Sequence, residues 1–204
     1  MVDPRDIVES GYDAIADRYA EALRAGRGPE TYFRAFLARV LELIPEGSTV
    51  LDLGCGAGLI TADPTTRARV VGVDISAAQL ELARRNAPAA RLVRADMVEI
   101  AFAPRSFDAV VAFCDDDPRP ARGARVPVRA HPWLVEAGRR LRRNARERRQ
   151  PCGPPPDFLG APMHWSHFDG DTNRGLLRDA GFDLVQADEI EDEGETPLWV
   201  IATA

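Results

Sequence analysis

Residues 50–58, Val-Leu-Asp-Leu-Gly-Cys-Gly-Ala-Gly, constrain the fold more than any other stretch of the chain. The apolar run of Val50, Leu51 and Leu53 reads as a buried parallel strand, and the glycines at 54, 56 and 58 then form a turn whose backbone can pass very close to a ligand. Residues 70–74, Val-Val-Gly-Val-Asp, read as a second buried strand that ends in a carboxylate. In nucleotide-binding βαβ units, an acid at that place accepts hydrogen bonds from ribose hydroxyls. The glycine spacing narrows the ligand further. Dinucleotide sites use G-x-G-x-x-G because the pyrophosphate sits on the N-terminus of the next helix. Here the order is Asp-x-Gly-x-Gly-x-Gly, and Asp52 ahead of the first glycine repels a pyrophosphate and suits a cationic ligand.

Hydrophobic periodicity sets out the other elements. Ile7, Val8, Tyr12, Ile15, Tyr19 and Leu23 recur at helical spacing over residues 5–24, with Gly11 placed to break the helix. After a turn at Gly26 to Pro29, apolar residues from Tyr32 to Ile44 predict a second helix, which Pro45-Glu46-Gly47 stops. Only eleven residues separate Gly58 from Val70, and Pro64 is among them, so the crossover is expected to be a helix of about two turns or an irregular one. Ser76 caps a third helix that faces Leu80, Leu82 and Ala83 inward and ends at Pro88. Strands are predicted at 91–96 and 107–113, a helix from about Asp171 to a stop at Gly181, and a closing antiparallel pair at 183–190 and 197–203.

The glycine-rich stretch, with Asp74 and Asp96 at the next two strand ends, resembles the class I S-adenosylmethionine-dependent methyltransferases of the bacterial small-molecule type. That resemblance implies an α/β fold, a doubly wound, Rossmann-like seven-stranded mixed sheet in the order 3-2-1-4-5-7-6. It also implies one methyltransferase domain over residues 1–204: a helical cap at 1–47, a cofactor-binding half at 48–114, an atypical segment at 115–156, and a C-terminal helix and strand pair at 157–204. S-adenosyl-L-methionine is the implied cofactor. Asp52, Gly54, Cys55 and Gly56 would meet its methionine part and ribose. Asp74 would hold the ribose hydroxyls with Ile75 beside it, and Asp96 would take the adenine amine with Met97 against the ring. Phe113 ends the fourth strand at the same site. Tyr19 belongs to a Tyr-Asp-x-x-Ala-x-x-Tyr pattern, with Tyr12 and Ala16, that covers the cofactor in the family. His164 and His167 lie among aromatics on the implied substrate side, where they serve as base or orienter, or simply bond loop backbone. The methyl acceptor is a small molecule that the sequence does not identify.

Composition limits the partners and exposes one anomaly. A net charge of -6 argues against a general nucleic-acid-binding surface. No 18-residue apolar run and no basic leader followed by an apolar stretch are present, so no membrane span is expected and the cytoplasm is the expected location. Cys55, Cys114 and Cys152 have no metal-type spacing, so no metal is expected. Yet residues 115–150 hold eleven arginines against five acids, and the composition of 115–156 is too poor in apolar residues to predict the sheet's fifth strand. Codons chosen for Asp116 to Arg119 and for Ala137 to Ala145 read, one base later, as Met-Ile-His-Val and as Pro-Gly-Gly-Val-Phe-Val-Ala-Thr-Leu, which are methyltransferase-like segments. A shifted reading frame is therefore expected there, with a genuine basic insertion as its alternative. Beside methyl transfer, two other functions stay open: a degenerate non-catalytic protein of the same fold and an NAD-dependent oxidoreductase.

Overall fold

The structure, a computed structural model, describes residues 3–26, 32–97, 99–103, 106–113, 133–137, 157–163, 170–190 and 198–203. Two helices, α1 (Pro4–Gly26) and α2 (Tyr32–Leu43), precede β1 (Thr49–Leu53), β2 (Arg69–Asp74), α3 (Ala77–Asn86), β3 (Arg91–Arg94) and β4 (Ala109–Ala112). Then come β5 (Trp133–Ala137), a small hairpin of β6 (Asp157–Phe158) and β7 (Ala161–Pro162), α4 (Gly170–Asp179), β8 (Asp183–Glu189) and β9 (Leu198–Thr203). Seven strands form one sheet in the order β3-β2-β1-β4-β5-β9-β8, parallel from β3 to β5 and antiparallel at β9 and β8. This is the order implied by the sequence, with β9 and β8 as the closing pair. Among the described residues no helix is long and apolar enough to cross a membrane.

Strand alternation builds the two core layers. Val50, Ala109, Val111, Trp199 and Ile201 pack with Phe36, Leu37, Val40 and Ile44, whereas Leu51, Leu53, Val110, Leu198 and Val200 pack with Leu177 and Phe182. Because successive side chains point to opposite faces, a slip of one residue would exchange the two layers, so the pattern fixes the register. At the entry to β4, the Thr49 N–H donates to Asp108 Oδ2 at 2.7 Å and the Asp108 N–H donates to the Thr49 carbonyl at 2.8 Å, which pins β4 beside β1.

Two sequence expectations change and one is met. Helix α1 runs through Gly11 without a break. A Cβ at Gly11 would stand 2.8 Å from the Pro162 carbonyl oxygen, so this glycine permits close packing of α1 on the β6–β7 hairpin. The crossover between β1 and β2 is irregular, with only a 3₁₀ turn at Pro64–Thr66, as the proline and short length dictate. The second change corrects the expectation that residues 115–156 lack a central strand. Trp133–Ala137 fill that place, with Leu134 opposite Val110 on one side and Ala202 on the other. The run Trp-Leu-Val is a local strand signal. The surrounding arginines dilute it when composition is averaged over the whole segment. The rest of 115–156 and the turn at 27–29 lie outside the described residues.

Candidate functional site

The glycine loop folds back over the end of β2. The N–H groups of Gly54 and Cys55 both donate to the Val73 carbonyl, at 2.8 and 3.0 Å, and the Gly56 N–H donates to Asp74 Oδ2 at 2.8 Å. Gly54, Gly56 and Gly58 hold this path with φ of 70°, 51° and 73°. An L-residue in that region costs about 1–2 kcal/mol, so the three glycines are what the turn requires. Gly58 is doubly constrained, since a Cβ there would meet Ala83 of α3 at 3.0 Å. The loop is also tied to α3 by Asn86, whose Nδ2 donates to the Ala57 carbonyl at 2.8 Å. Cys55 is 8% exposed, and its Sγ would lie 2.9 Å from a Cβ on Gly72, so its side chain packs against β2, where the thiol also donates to the Gly56 carbonyl at 4.0 Å.

Asp74 is the centre of this arrangement. Its Oδ2 accepts from Gly56, its Oδ1 accepts from the Ser76 N–H at 2.9 Å, and burial pushes its pKa from 3.8 up to about 6 against the opposing pull of those backbone bonds. Asp52 sits differently from the sequence expectation of facing a cationic ligand. It is 2% exposed, and Oδ2 accepts from the Thr61 hydroxyl at 2.6 Å, so its carboxylate anchors the irregular crossover to β1. Asp13, which sequence reasoning missed, joins α1 to the same site. Its Oδ1 accepts from Ser76 Oγ at 2.6 Å and from the Ala78 N–H at 3.0 Å, and Ser76 Oγ in turn accepts from the Gln79 N–H at 3.1 Å. An acid 63 positions away thereby completes the cap of α3.

Helix α1 and the β6–β7 hairpin roof this end of the sheet. Tyr12, Tyr19, Ile75 and Phe158 pack around the buried cluster of Val8, Ile15, Ala161 and Met163, and Tyr19 meets Tyr12 and Phe158 edge-on with ring centroids 5.4 and 6.0 Å apart. Arg5 reaches Asp96, with Nε 3.8 Å from Oδ2, and also pairs with Glu99. Arg94 pairs with Glu9 and donates to the Ile75 carbonyl at 3.2 Å. Tyr19, Ile75, Asp96, the glycine loop and Asp74 thus gather at the carboxyl ends of β1 to β3, under α1. Met97 packs at the edge of the cluster around Leu51 and Val73. Phe113 departs from the group: it is 8% exposed and belongs to the layer of Phe36, Val111 and Trp199. His164 and His167 lie outside the described residues, among which no group of three His, Cys, Asp or Glu side chains could hold a metal ion.

An open α/β sheet with a glycine loop and a strand-end acid at its carboxyl edge is a Rossmann-like, nucleotide-binding type of arrangement. Residues 50–126 match a family model described as a methyltransferase domain, which covers the loop, Asp74, Asp96 and β4. The chain is 46% identical over 76 residues to the trans-aconitate 2-methyltransferase of Paracidovorax citrulli, covering 36% of this chain and 28% of that protein. It is 39% identical over 77 residues to the 2-phytyl-1,4-naphtoquinone methyltransferase of Thermosynechococcus vestitus, covering 34% of each. The chain therefore spans about a third of the length of the curated relatives it matches. Among solved structures, the 1,6-didemethyltoxoflavin-N1-methyltransferase of Burkholderia thailandensis, with bound 1,6-didemethyltoxoflavin and S-adenosylhomocysteine, superposes with a TM-score of 0.72 at 20% identity, covering 100% of this chain and 91% of that one.

Proposed function

We propose that this chain binds S-adenosylmethionine and transfers its methyl group to a small-molecule acceptor. The observation that carries the reading is the glycine loop closed on Asp74 within a methyltransferase fold; the trans-aconitate and naphthoquinone methyltransferases among its relatives are named for small-molecule acceptors. The bound cofactor supplies a methyl group on a positively charged sulfur, ready for in-line displacement. The protein's share of that reaction is to align two reactants and exclude water. Asp74 accepts the ribose hydroxyls, the backbone at Gly54, Cys55 and Gly56 lets the methionine part approach closely, and Asp96, held by Arg5, takes the adenine amine. Ile75, Met97 and Tyr19 supply apolar walls, and Asp52 acts from behind by fixing the crossover through Thr61. Phe113 is the weakest member of the set on its placement in the core. His164 and His167 are the candidate bases for an acceptor that must lose a proton. A cytoplasmic location fits a cofactor made and consumed inside cells.

Calorimetry with S-adenosylmethionine, S-adenosylhomocysteine and NAD tests the cofactor: the first two are expected to bind and NAD is not. Transfer of a labelled methyl group over a panel of small hydroxylated and amine metabolites then tests turnover. Cofactor binding without transfer to any of them would favour the non-catalytic alternative, for which the arginine-rich composition of residues 115–156 is the supporting observation.

A further inference from the structure

Among the described residues, Leu159 is the one residue other than glycine with a positive φ, at 51°. With Gly160, whose φ is 87°, it forms the two-residue tip of the β6–β7 hairpin, between the paired residues Phe158 and Ala161. Tips of two residues with positive φ at both places favour Asn-Gly, because an apolar side chain crowds its own backbone there and gains no local hydrogen bond in return. Leucine therefore strains the tip. Nor is its side chain buried, since Leu159 is 37% exposed, one of three large hydrophobic residues exposed among those described. Gly160 cannot share in any contact, because a Cβ there would stand 2.7 Å from Arg18 Nη1. The tip thus presents a single side chain, and that side chain is apolar.

The place of the tip indicates what meets it. Phe158, the residue before it, meets Tyr19 of α1 edge-on, and both rings pack around the cluster that Ile75, next after Asp74, also joins. The hairpin therefore belongs to the roof over the carboxyl ends of the strands, with Leu159 at its more exposed end. The hairpin alone would be better served by asparagine, so a strained and exposed leucine at such a place points to a ligand contact. We propose that Leu159 is a specificity-determining residue that lies against the methyl acceptor, and that the acceptor carries an apolar ring or chain on that side. The assignment rests on the reading of this end of the sheet as a methyltransferase site. Tyr19 and Ile75 wall the cofactor in that reading, which leaves the tip beyond Phe158 to the second reactant. A wholly polar acceptor would lose water against Leu159 and Phe158 without regaining hydrogen bonds.

The test measures melting temperature, and the affinity of the S-adenosylhomocysteine-saturated chain for naphthol, a hydroxylated planar ring, in the parent, Leu159→Asn and Leu159→Ala. Leu159→Asn should melt about 2–4 °C higher because the left-handed strain is released, yet bind naphthol about three- to tenfold more weakly because the apolar contact is gone. Leu159→Ala keeps an apolar residue in the left-handed region and should lose the same affinity without the gain in melting temperature. An asparagine variant that melts no higher than the parent, or does not fold, overturns the proposal by removing the strain. Equal naphthol affinity in the parent and both variants overturns it as well, as does a saturated parent that binds no naphthol; S-adenosylhomocysteine binding then leaves the cofactor reading intact. Binding to phosphatidylcholine vesicles that both variants lose, with naphthol affinity unchanged, assigns the tip to a lipid surface and overturns the acceptor contact. A folded parent with no affinity for S-adenosylhomocysteine overturns the cofactor reading and this assignment with it.

Discussion

Asp74 accepts two backbone amides in a site where burial raises its pKa from 3.8 to about 6. A carboxyl group whose folded-state pKa is raised favours its neutral form on folding. Its contribution to stability is therefore full below the unfolded value and is lost as pH rises through about 6. Asp74→Asn removes that pH dependence, so its melting temperature relative to the parent should climb between pH 4 and pH 8, a change worth about 2–3 kcal/mol. Ligand binding has the opposite sense, because ribose hydroxyls need the ionised acceptor. Affinity for S-adenosylhomocysteine should fall as pH drops below about 6, by up to about tenfold per unit, and an affinity constant from pH 8 to pH 5 would contradict the assignment. Thr61→Val leaves the buried Asp52 carboxylate without its hydroxyl donor and should destabilise the chain by about 1.5–3 kcal/mol in urea unfolding. The glycines and Asp74 were legible in the sequence because their chemistry is tied to a strand end and a turn. Asp13 and Thr61 were not, because their roles depend on partners that only the folded chain brings near. Phe113 shares the parity of Ala109 and Val111, which face the α2 layer, so its side chain packs there.

Helix α1 shows how one element organises the site from outside the sheet. Asp13 caps α3, Arg5 meets Asp96 and Glu9 meets Arg94, so three contacts hold α1 over the ends of β2 and β3. The exposed ion pairs add little individually, whereas the capping carboxylate satisfies a backbone donor and the Ser76 hydroxyl. Asp13→Ala should cost about 1 kcal/mol in stability. It should also weaken S-adenosylhomocysteine binding, as measured by calorimetry, through the loosened roof; unchanged stability and affinity would show that α1 is held elsewhere. Gly11→Val drives a side chain into the Pro162 carbonyl and Met163 and should lower the melting temperature. The apolar period of α1 was readable, but Gly11 looked like a helix break because its partner lies far along the chain. Strand β5 was hidden for a different reason, since its Trp-Leu-Val signal sits inside a segment whose average composition argues against any strand. The shifted-frame idea for the flanking residues is tested by resequencing codons 110–160. It requires paired base insertions or deletions relative to close relatives, and a continuous frame shared with those relatives ends it.

Among the described residues the main sheet has seven strands, whose order could be inferred once the glycine loop and the two strand-end acids suggested a family. Alternating apolar residues then fixed which face of each strand meets which layer. The acceptor end was not legible, because shape and polar placement there depend on side chains whose spacing carries no motif. The carboxyl edge of β1 to β3 was legible, because the fold class itself puts ligands there. At that edge Asp74 and the glycine loop form the proposed S-adenosylmethionine site. Calorimetric titration of the parent chain and of Asp74→Ala with S-adenosylhomocysteine at pH 8 tests it most directly. The parent is expected to bind and the variant to lose about 1.5–3 kcal/mol of binding energy, the scale of a hydrogen bond to a charged group. A variant that folds and binds as tightly as the parent, or a folded parent that does not bind, would contradict it.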